Sequence, residues 1–456
     1  MSKPKARSSA KVPWQVTLMT VCFLAPQEFS LYLFGLRLPP HRLVILALLP
    51  MAAWRLLCGR GVKLRFFDVL FIAFNGWILA SFMGHGEGTQ GLVFGGSLVV
   101  ESIGGYLVAR VFVRDAQTFK AALGLLVLAV AFAGALALPE MLLGQTFTHN
   151  FLRSIFGGDP VPQMQVRLGL ARAYSVFDHP IHLGTFCASG LAMVWFATAR
   201  EPARWRYLAV LAIAVVTPLS SAPMLCFGLQ VALLSLEYVT RGMHSRVAVF
   251  LAVVFGLYAS VTIVSDRTPF AIIATGFTLD SWTGFYRLKI WEFGLETVSQ
   301  NIWFGIGLGD WERPVWMVSK TVDAFWLLLM MRSGVPAVVL IVLAIAVLIY
   351  RVTARIKSVR DKDVRRLARG WLISATALIM IAFTVHYWNA LYAYFFYVLG
   401  LGGWLADPLK AKKTVPVAER LEESLPADAP IPRPRREPAD VESGYGHGYG
   451  APGYAT

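Results

Sequence analysis

Residues 285–311 read FYRLKIWEFGLETVSQNIWFGIGLGDW: a basic, tryptophan-rich helix followed by a turn with glycine at every second position. Apolar runs flank the stretch, and a chain that only crosses a bilayer has no need of it. It therefore reads as the working face of the protein, presented by a membrane scaffold. Arg287, Trp291, Gly294 and Val298 recur at i, i+4, i+7 and i+11, sharing one helical face with Leu288 and Leu295. Lys289, Glu292 and Glu296 occupy another face and look solvated. Arg287 thus lies on the apolar side, either snorkelling to lipid headgroups or reaching into a cavity; an interfacial helix with an anchoring arginine is the plainer alternative. Gly305, Gly307 and Gly309 follow a helix rather than a strand, so they fail as a dinucleotide-binding fingerprint and suit a tight return of the chain toward the membrane.

The composition agrees with a membrane setting. Of 456 residues, 56% are hydrophobic and 15% charged, with mean hydropathy +0.58; soluble domains carry roughly 25% charged residues. The net charge of +15 could suggest nucleic acid, but the basic residues cluster in short loops between apolar runs, as the positive-inside rule predicts. Nucleic acid is therefore excluded from the expected partners. Cys22, Cys58, Cys187 and Cys226 lie in or beside apolar runs without a C-x-x-C pair, which argues against a disulfide framework or a zinc site.

The expected fold is all-α, a polytopic helical bundle of about a dozen spans, near residues 14–35, 42–58, 66–84, 92–113, 119–143, 180–198, 206–221, 223–240, 247–264, 321–350, 370–387 and 389–405. The run 321–350 is long for one span, and Gly334-Val335-Pro336 should kink it. The basic stretch at the N-terminus precedes an apolar run with no small-residue cleavage site, so that run reads as an uncleaved first span. Loop 351–369 holds eight Lys and Arg and sets the orientation: both termini cytoplasmic, with 1–13 a cytoplasmic tail and 144–179 and 265–320 two long outer-face segments. From residue 406 the chain is rich in Pro, Glu, Arg and Ala, with too little apolar content for a core, and reads as a disordered cytoplasmic tail.

The candidate chemistry lies in the two outer segments. Arg167, Arg172, Asp178, His179 and His182 fall within sixteen residues at the mouth of the span that Pro180 opens. His179 and His182 lack a further well-placed ligand for a metal, whereas arginines beside a helix N-terminus suit an anion. Glu101, Asp323 and Arg332 lie within spans, where a charge costs about 2.5–3.5 kcal/mol, and each should face the bundle interior with a partner. Asp323, at the outer end of its span, is the best-placed base for a surface reaction; a helix-start acid favoured by the dipole is the alternative. Asp361-Lys362-Asp363 has the form of a metal-binding D-x-D but sits in the most basic loop and reads as solvated.

Taken with YRLKIWEFGLETVSQNIWFGIGLGDW, three further stretches carry a family resemblance: ESIGGYLVARVFV, ARAYSVFDHPIHLGTF and VDAFWLLLMMRSGVPAVVL. In order and spacing, over roughly residues 40–405, they resemble the O-antigen ligase and Wzy-type polymerase superfamily. Its motifs have the form G-R-x-x-I-W … N-P-x-x-G-x-G, R-x-x-G-x-F-x-x-P-x-x-x-G and H-N-x-x-L … G. The chain departs from them at Asp323-Ala324, where the ligases have His-Asn, at Ser221-Ala222, where many members have Ser-Arg, and at Asn301-Ile302 in place of Asn-Pro. The Asp-x-Phe-Trp-Leu form is closer to members from exopolysaccharide clusters.

The resemblance implies metal-independent, cofactor-free glycosyl transfer at the outer face of a bacterial inner membrane. The donor would be a glycan on undecaprenyl diphosphate, and the acceptor a lipid-linked repeat unit or a lipid A core sugar. Membrane lipids and polysaccharide export or chain-length proteins would be partners. Arg287 and Arg172 would neutralise the diphosphate, and Asp323, or else His179, would act as base. Glu101, Arg167, Trp291 and Arg332 would line the substrate region. Trp282, Trp291, Trp303 and Trp311 could stack on sugars or anchor the interface. Two other classes stand beside this one: a transporter or flippase for lipid-linked sugar, and a non-catalytic scaffold of an envelope complex.

Overall fold

The computed structural model describes residues 12–33, 36–157, 164–241 and 281–407. The expected span at 247–264, the first part of the second outer segment, the outermost N-terminal residues and the tail beyond 407 lie outside the described residues. The described chain is overwhelmingly helical.

The first helix, α1 (Trp14–Phe23), is followed by a 3-10 turn (Gln27–Phe29) and an antiparallel ribbon of β1 (Leu31–Leu33) and β2 (Leu36–Leu38), with Leu31 opposite Leu38. The expected single span over 14–35 is therefore cut short. Pro26 disfavours helix at the residue before it, and the polar Gln27-Glu28 pair turns the chain. Next come α2 (Pro40–Leu57), α3 (Phe66–Gly84), α4 (Gly88–Phe112) and α5 (Ala116–Leu143). Pro40 opens α2, where its missing N–H costs nothing. Asp115 caps α5 by accepting the N–H groups of Gln117 and Thr118 at 2.9 and 2.8 Å.

The first outer segment is not a bare loop: it contains α6 (Phe147–Phe156) and a ribbon of β3 (Val166–Arg167) and β4 (Leu170–Ala171). The span expected at 180–198 is two helices in tandem, α7 (Pro180–Ala188) and α8 (Leu191–Ala197). Between them Ser189 turns its hydroxyl to the Phe186 carbonyl and the Tyr394 hydroxyl. Then follow α9 (Arg204–Val216), α10 (Ser221–Val239), α11 (Ser281–Gln300), α12 (Phe325–Ser358), α13 (Lys362–Ile381), α14 (Asn389–Leu401) and α15 (Gly403–Ala406). The basic stretch 351–369, expected as a loop, is mostly the end of α12 and the start of α13. Asp361 caps α13 by accepting the Asp363 N–H at 2.8 Å, so the D-x-D sequence marks a helix start.

Among the described residues seven helical segments are long and apolar enough to cross a membrane: α2, α3, α4, α5, the α7–α8 run, α10 and α12. Twelve apolar runs do not become twelve long helices. At 1.5 Å per residue a span needs about 20 residues, and α1, α9 and α14 have 10, 13 and 13. Packing is close where glycine permits it: α4 meets α14 at Gly105, where a Cβ would strike the Ala393 carbonyl, and again at Gly400, against the Tyr106 carbonyl.

The predicted break in α12 occurs at Gly334, with φ 78° and ψ 170°. It frees two carbonyls and an N–H that the glycine turn and the segment just past α11 satisfy. The N–H of Ile306 donates to Met331 O at 2.7 Å, that of Gly307 to Arg332 O at 3.1 Å, and that of Val335 to Ile302 O at 2.8 Å. Arg332 returns a bond from Nη1 to the Gly307 carbonyl at 2.6 Å. Gly305 and Gly307 both have positive φ, so the glycine spacing serves to seat the turn on the kink.

Candidate functional site

The N-termini of α7, α10, α12 and α14 and the C-termini of α5 and α9 meet at one end of the bundle, and the candidate residues gather there. α11 packs on the first half of α12, with Gly294 against Leu327 and Ile290, Val298, Leu327 and Met331 in one apolar cluster. Leu295, expected on that face, is exposed, because the contact centres on Ile290 and Gly294. This packing carries Arg287 to Asp323, which stands two residues before α12.

The β3–β4 ribbon supplies Arg167 and Arg172. Arg172 donates to Gln165 Oε1 at 2.5 Å and to the Pro218 carbonyl at 3.3 Å, and Arg167 donates to the Leu219 carbonyl at 3.2 Å. His179 is the N-cap of α7, its Nδ1 accepting the Ile181 N–H at 3.1 Å. Arg172 is only 4% exposed and Arg287 7%.

Mutual influence identifies these groups as one cluster. Burial, then the neighbouring Arg167, pushes the Arg172 guanidinium down to about 10. Burial also lowers Arg287, with Asp323 opposing. Burial raises the Asp323 carboxyl while Arg287 and Arg172 pull it back. His179 is pushed down to about 4 by burial and then by Arg172 and Arg167. Its imidazole is therefore neutral near pH 7, and because Nδ1 is an acceptor the proton sits on Nε2. In this arrangement His179 presents a donor, and Asp323 is the group able to accept a proton.

Among the described residues Arg287 donates no hydrogen bond, and its Nε is buried without an acceptor. A buried guanidinium in that condition is costly. The four described non-glycine residues with positive φ are Leu168, in the β3–β4 turn, Ser175, in the segment before α7, and Leu219 and Asn389, at the starts of α10 and α14.

The structure does not bring the other candidates into the cluster. Glu101 is buried inside the bundle, paired with His41 at 3.1 Å and Arg42 at 2.8 Å. Arg332 belongs to the kink. Trp291 stacks on Phe383 and donates to its carbonyl at 3.0 Å.

Several contributors were not singled out from the sequence. Glu140, in the last turn of α5, accepts the N–H groups of Tyr174 and Ser175 at 3.0 and 2.7 Å and so shapes the turn between Arg172 and His179. A carboxylate inside an apolar run was the available signal. Trp388 lies among imidazoles, 3.6 Å from His182, 5.7 Å from His179 and 5.2 Å from His386 between ring centroids. Asn389 donates to Asp178 at 2.9 Å, which also takes a bond from Gln27. Nothing local in the sequence marks these pairings.

Fold and site together define a helical protein with membrane-length apolar segments and a buried arginine–carboxylate cluster at one end. No protein-family model matches its sequence, and neither does any curated protein.

Proposed function

We propose that this protein is a membrane glycosyltransferase of the polymerase or ligase type, moving a glycan from undecaprenyl diphosphate to a sugar acceptor. The supporting observation is Arg287: a guanidinium buried beside Arg172 and Asp323 that makes no hydrogen bond among the described residues. Such a cation calls for an anionic ligand, and a diphosphate accepts bidentately from guanidinium.

In the reaction the acceptor hydroxyl attacks the anomeric carbon of the donor sugar, the C–O bond to diphosphate breaks, and the hydroxyl proton passes to Asp323. Arg287 and Arg172 take up the charge that develops on the departing diphosphate. A carboxylate raised by burial is a better base than an exposed one. His179 Nε2–H is available to hold a sugar or phosphate oxygen. The basic end, with Arg55, Arg60, Arg65, Arg114 and the 351–369 stretch, faces the cytoplasm by the positive-inside rule, which puts the cluster at the outer face of a bacterial inner membrane and both termini inside.

The test is the surface polysaccharide profile of cells lacking the protein, complemented with wild type, Arg287→Ala or Asp323→Asn at matched membrane levels. Single repeat units in place of polymer, corrected by wild type alone, support polymerase. Polymer retained on its lipid carrier supports ligase. Unchanged glycans, or full complementation by both variants, would overturn the reading and favour a transporter or scaffold.

A further inference from the structure

Helix α6 is amphipathic in the opposite sense to a helix on a water-soluble protein. Its polar side faces inward: His149 is 3% exposed, with Nδ1 2.8 Å from Glu28 Oε1 and Nε2 3.0 Å from the Phe177 carbonyl. Arg153, one turn on, places Nε 3.1 Å from the same Glu28 oxygen. Its outward side is mainly apolar: Phe147, Phe151 and Ile155 follow at i, i+4 and i+8, Phe151 is 65% exposed and Ile155 58%, Phe156 is exposed at the helix end, and the exposed Asn150 and Ser154 border this face.

This face does not stand alone. Phe156 meets the edge of Phe29 at 5.1 Å, which continues it into the exposed Leu31, Tyr32 and Leu33 of β1. On the other side it runs back along α5, whose Leu128, Phe132, Leu138, Leu142 and Leu143 are all exposed. Only Gly144-Gln145-Thr146 separates α5 from α6. α5 is among the helices long and apolar enough to cross a membrane, so its exposed leucines face hydrocarbon if it does so, and the α6 face continues that surface beyond the exposed Gln145 of the linker.

We infer that α6 and the β1–β2 ribbon lie in the bilayer, with Phe147, Phe151, Ile155 and Phe156 against lipid acyl chains, and that lipid is the occupant of this surface. A helix that pairs its ionic groups internally and turns Phe147, Phe151 and Phe156 outward is arranged for the apolar edge of a bilayer. The first outer segment is then partly membrane-embedded rather than an aqueous loop, and it brings lipid alongside the turn that carries Arg172 and His179. The inference stands independently of the glycosyl-transfer reading, because it concerns only where α6 sits.

The test uses the full chain with Cys58, the exposed native cysteine, replaced by serine, reconstituted in phosphatidylethanolamine–phosphatidylglycerol vesicles. Nitroxide is attached at Phe151→Cys, at Ile155→Cys and, as a reference on α5, at Leu142→Cys. None of these substitutions removes an interior contact. The expected result is relaxation by oxygen and loss of relaxation by a water-soluble nickel chelate at 151 and 155, matching position 142. Nickel access at 151 and 155 overturns the inference, as does shielding from both reagents, which would mean a protein partner or second copy on this face. Nickel access at 142 overturns it as well, since α5 would then not provide the lipid-facing surface.

Discussion

The Nδ1 of His149 lies 2.8 Å from Glu28 Oε1 although 121 residues separate them in the chain. The other ring nitrogen faces the Phe177 carbonyl. Both partners are acceptors, so both nitrogens carry protons and His149 is an imidazolium. Burial opposes that charge, but the Glu28 hydrogen bond and charge outweigh it and raise the histidine. Glu28 is correspondingly drawn down to about 2; burial works against this, but the hydrogen bond and charge of His149, with Arg153, prevail.

The sign of the pH dependence follows. A histidine whose folded value exceeds its unfolded one stabilises fully below about 6.5 and loses that contribution as pH rises through the folded value. Melting temperature in detergent should fall as pH rises above about 6.5 in wild type, and His149→Gln should flatten that slope. His149→Ala should cost about 1–3 kcal/mol at pH 6 by leaving Glu28 short of a donor. Parallel slopes in wild type and His149→Gln would refute the imidazolium assignment.

His179 behaves oppositely. Its value is depressed to about 4, so its contribution is complete above about 6.5 and disappears as pH falls toward 4. Protonation also removes the lone pair that caps α7. His179→Asn, which keeps a capping acceptor, should retain the melting temperature and lose the acid-side slope, whereas His179→Ala should cost about 1 kcal/mol. Equal melting temperatures for the two variants would show that the cap contributes nothing.

Arg287→Met should separate stability from function. Replacing the buried Arg287 by an apolar side chain of similar length removes its burial cost together with the charge that draws Asp323 down, so the two effects should largely cancel and the melting temperature should change little. If the proposed glycosyl transfer holds, sugar transfer should nevertheless drop by at least about a hundredfold, the scale of removing one charge-stabilising donor. A melting temperature several degrees lower would instead mark Arg287 as a structural partner of Asp323.

Gly334→Ala should be severe. A Cβ there would meet the Trp303 carbonyl, and the backbone has positive φ, so both the kink and the seat of the glycine turn would be lost, at a cost of more than about 2 kcal/mol. Gly96→Ala, in α4 with open space around it, should gain up to about 1 kcal/mol. Similar yields and melting curves for the two variants would contradict this account of the kink.

Local physics made part of this legible in advance. Hydropathy marked the membrane-length helices, Gly334-Val335-Pro336 marked the kink, Arg287 and Asp323 stood out as charges in apolar surroundings, and Arg172 as an arginine beside a helix N-terminus. Span lengths were less legible, because an apolar run records burial or lipid contact but not where backbone hydrogen bonding stops. The first run ended at Phe23 and the sixth broke at Ser189-Gly190 for that reason.

By itself the sequence determined the helical, apolar character of the chain and the residue types available to its site, since both follow from periodicities spanning three or four residues. Only the tertiary structure decided that Arg172, Arg287 and Asp323 share one cluster, that His179 spends its Nδ1 on a helix cap, and that Glu140 and His149 hold the turn between Arg172 and His179. Those relations join segments up to about 150 residues apart, and their energies come from burial and charge pairing that exist only once the helices have packed.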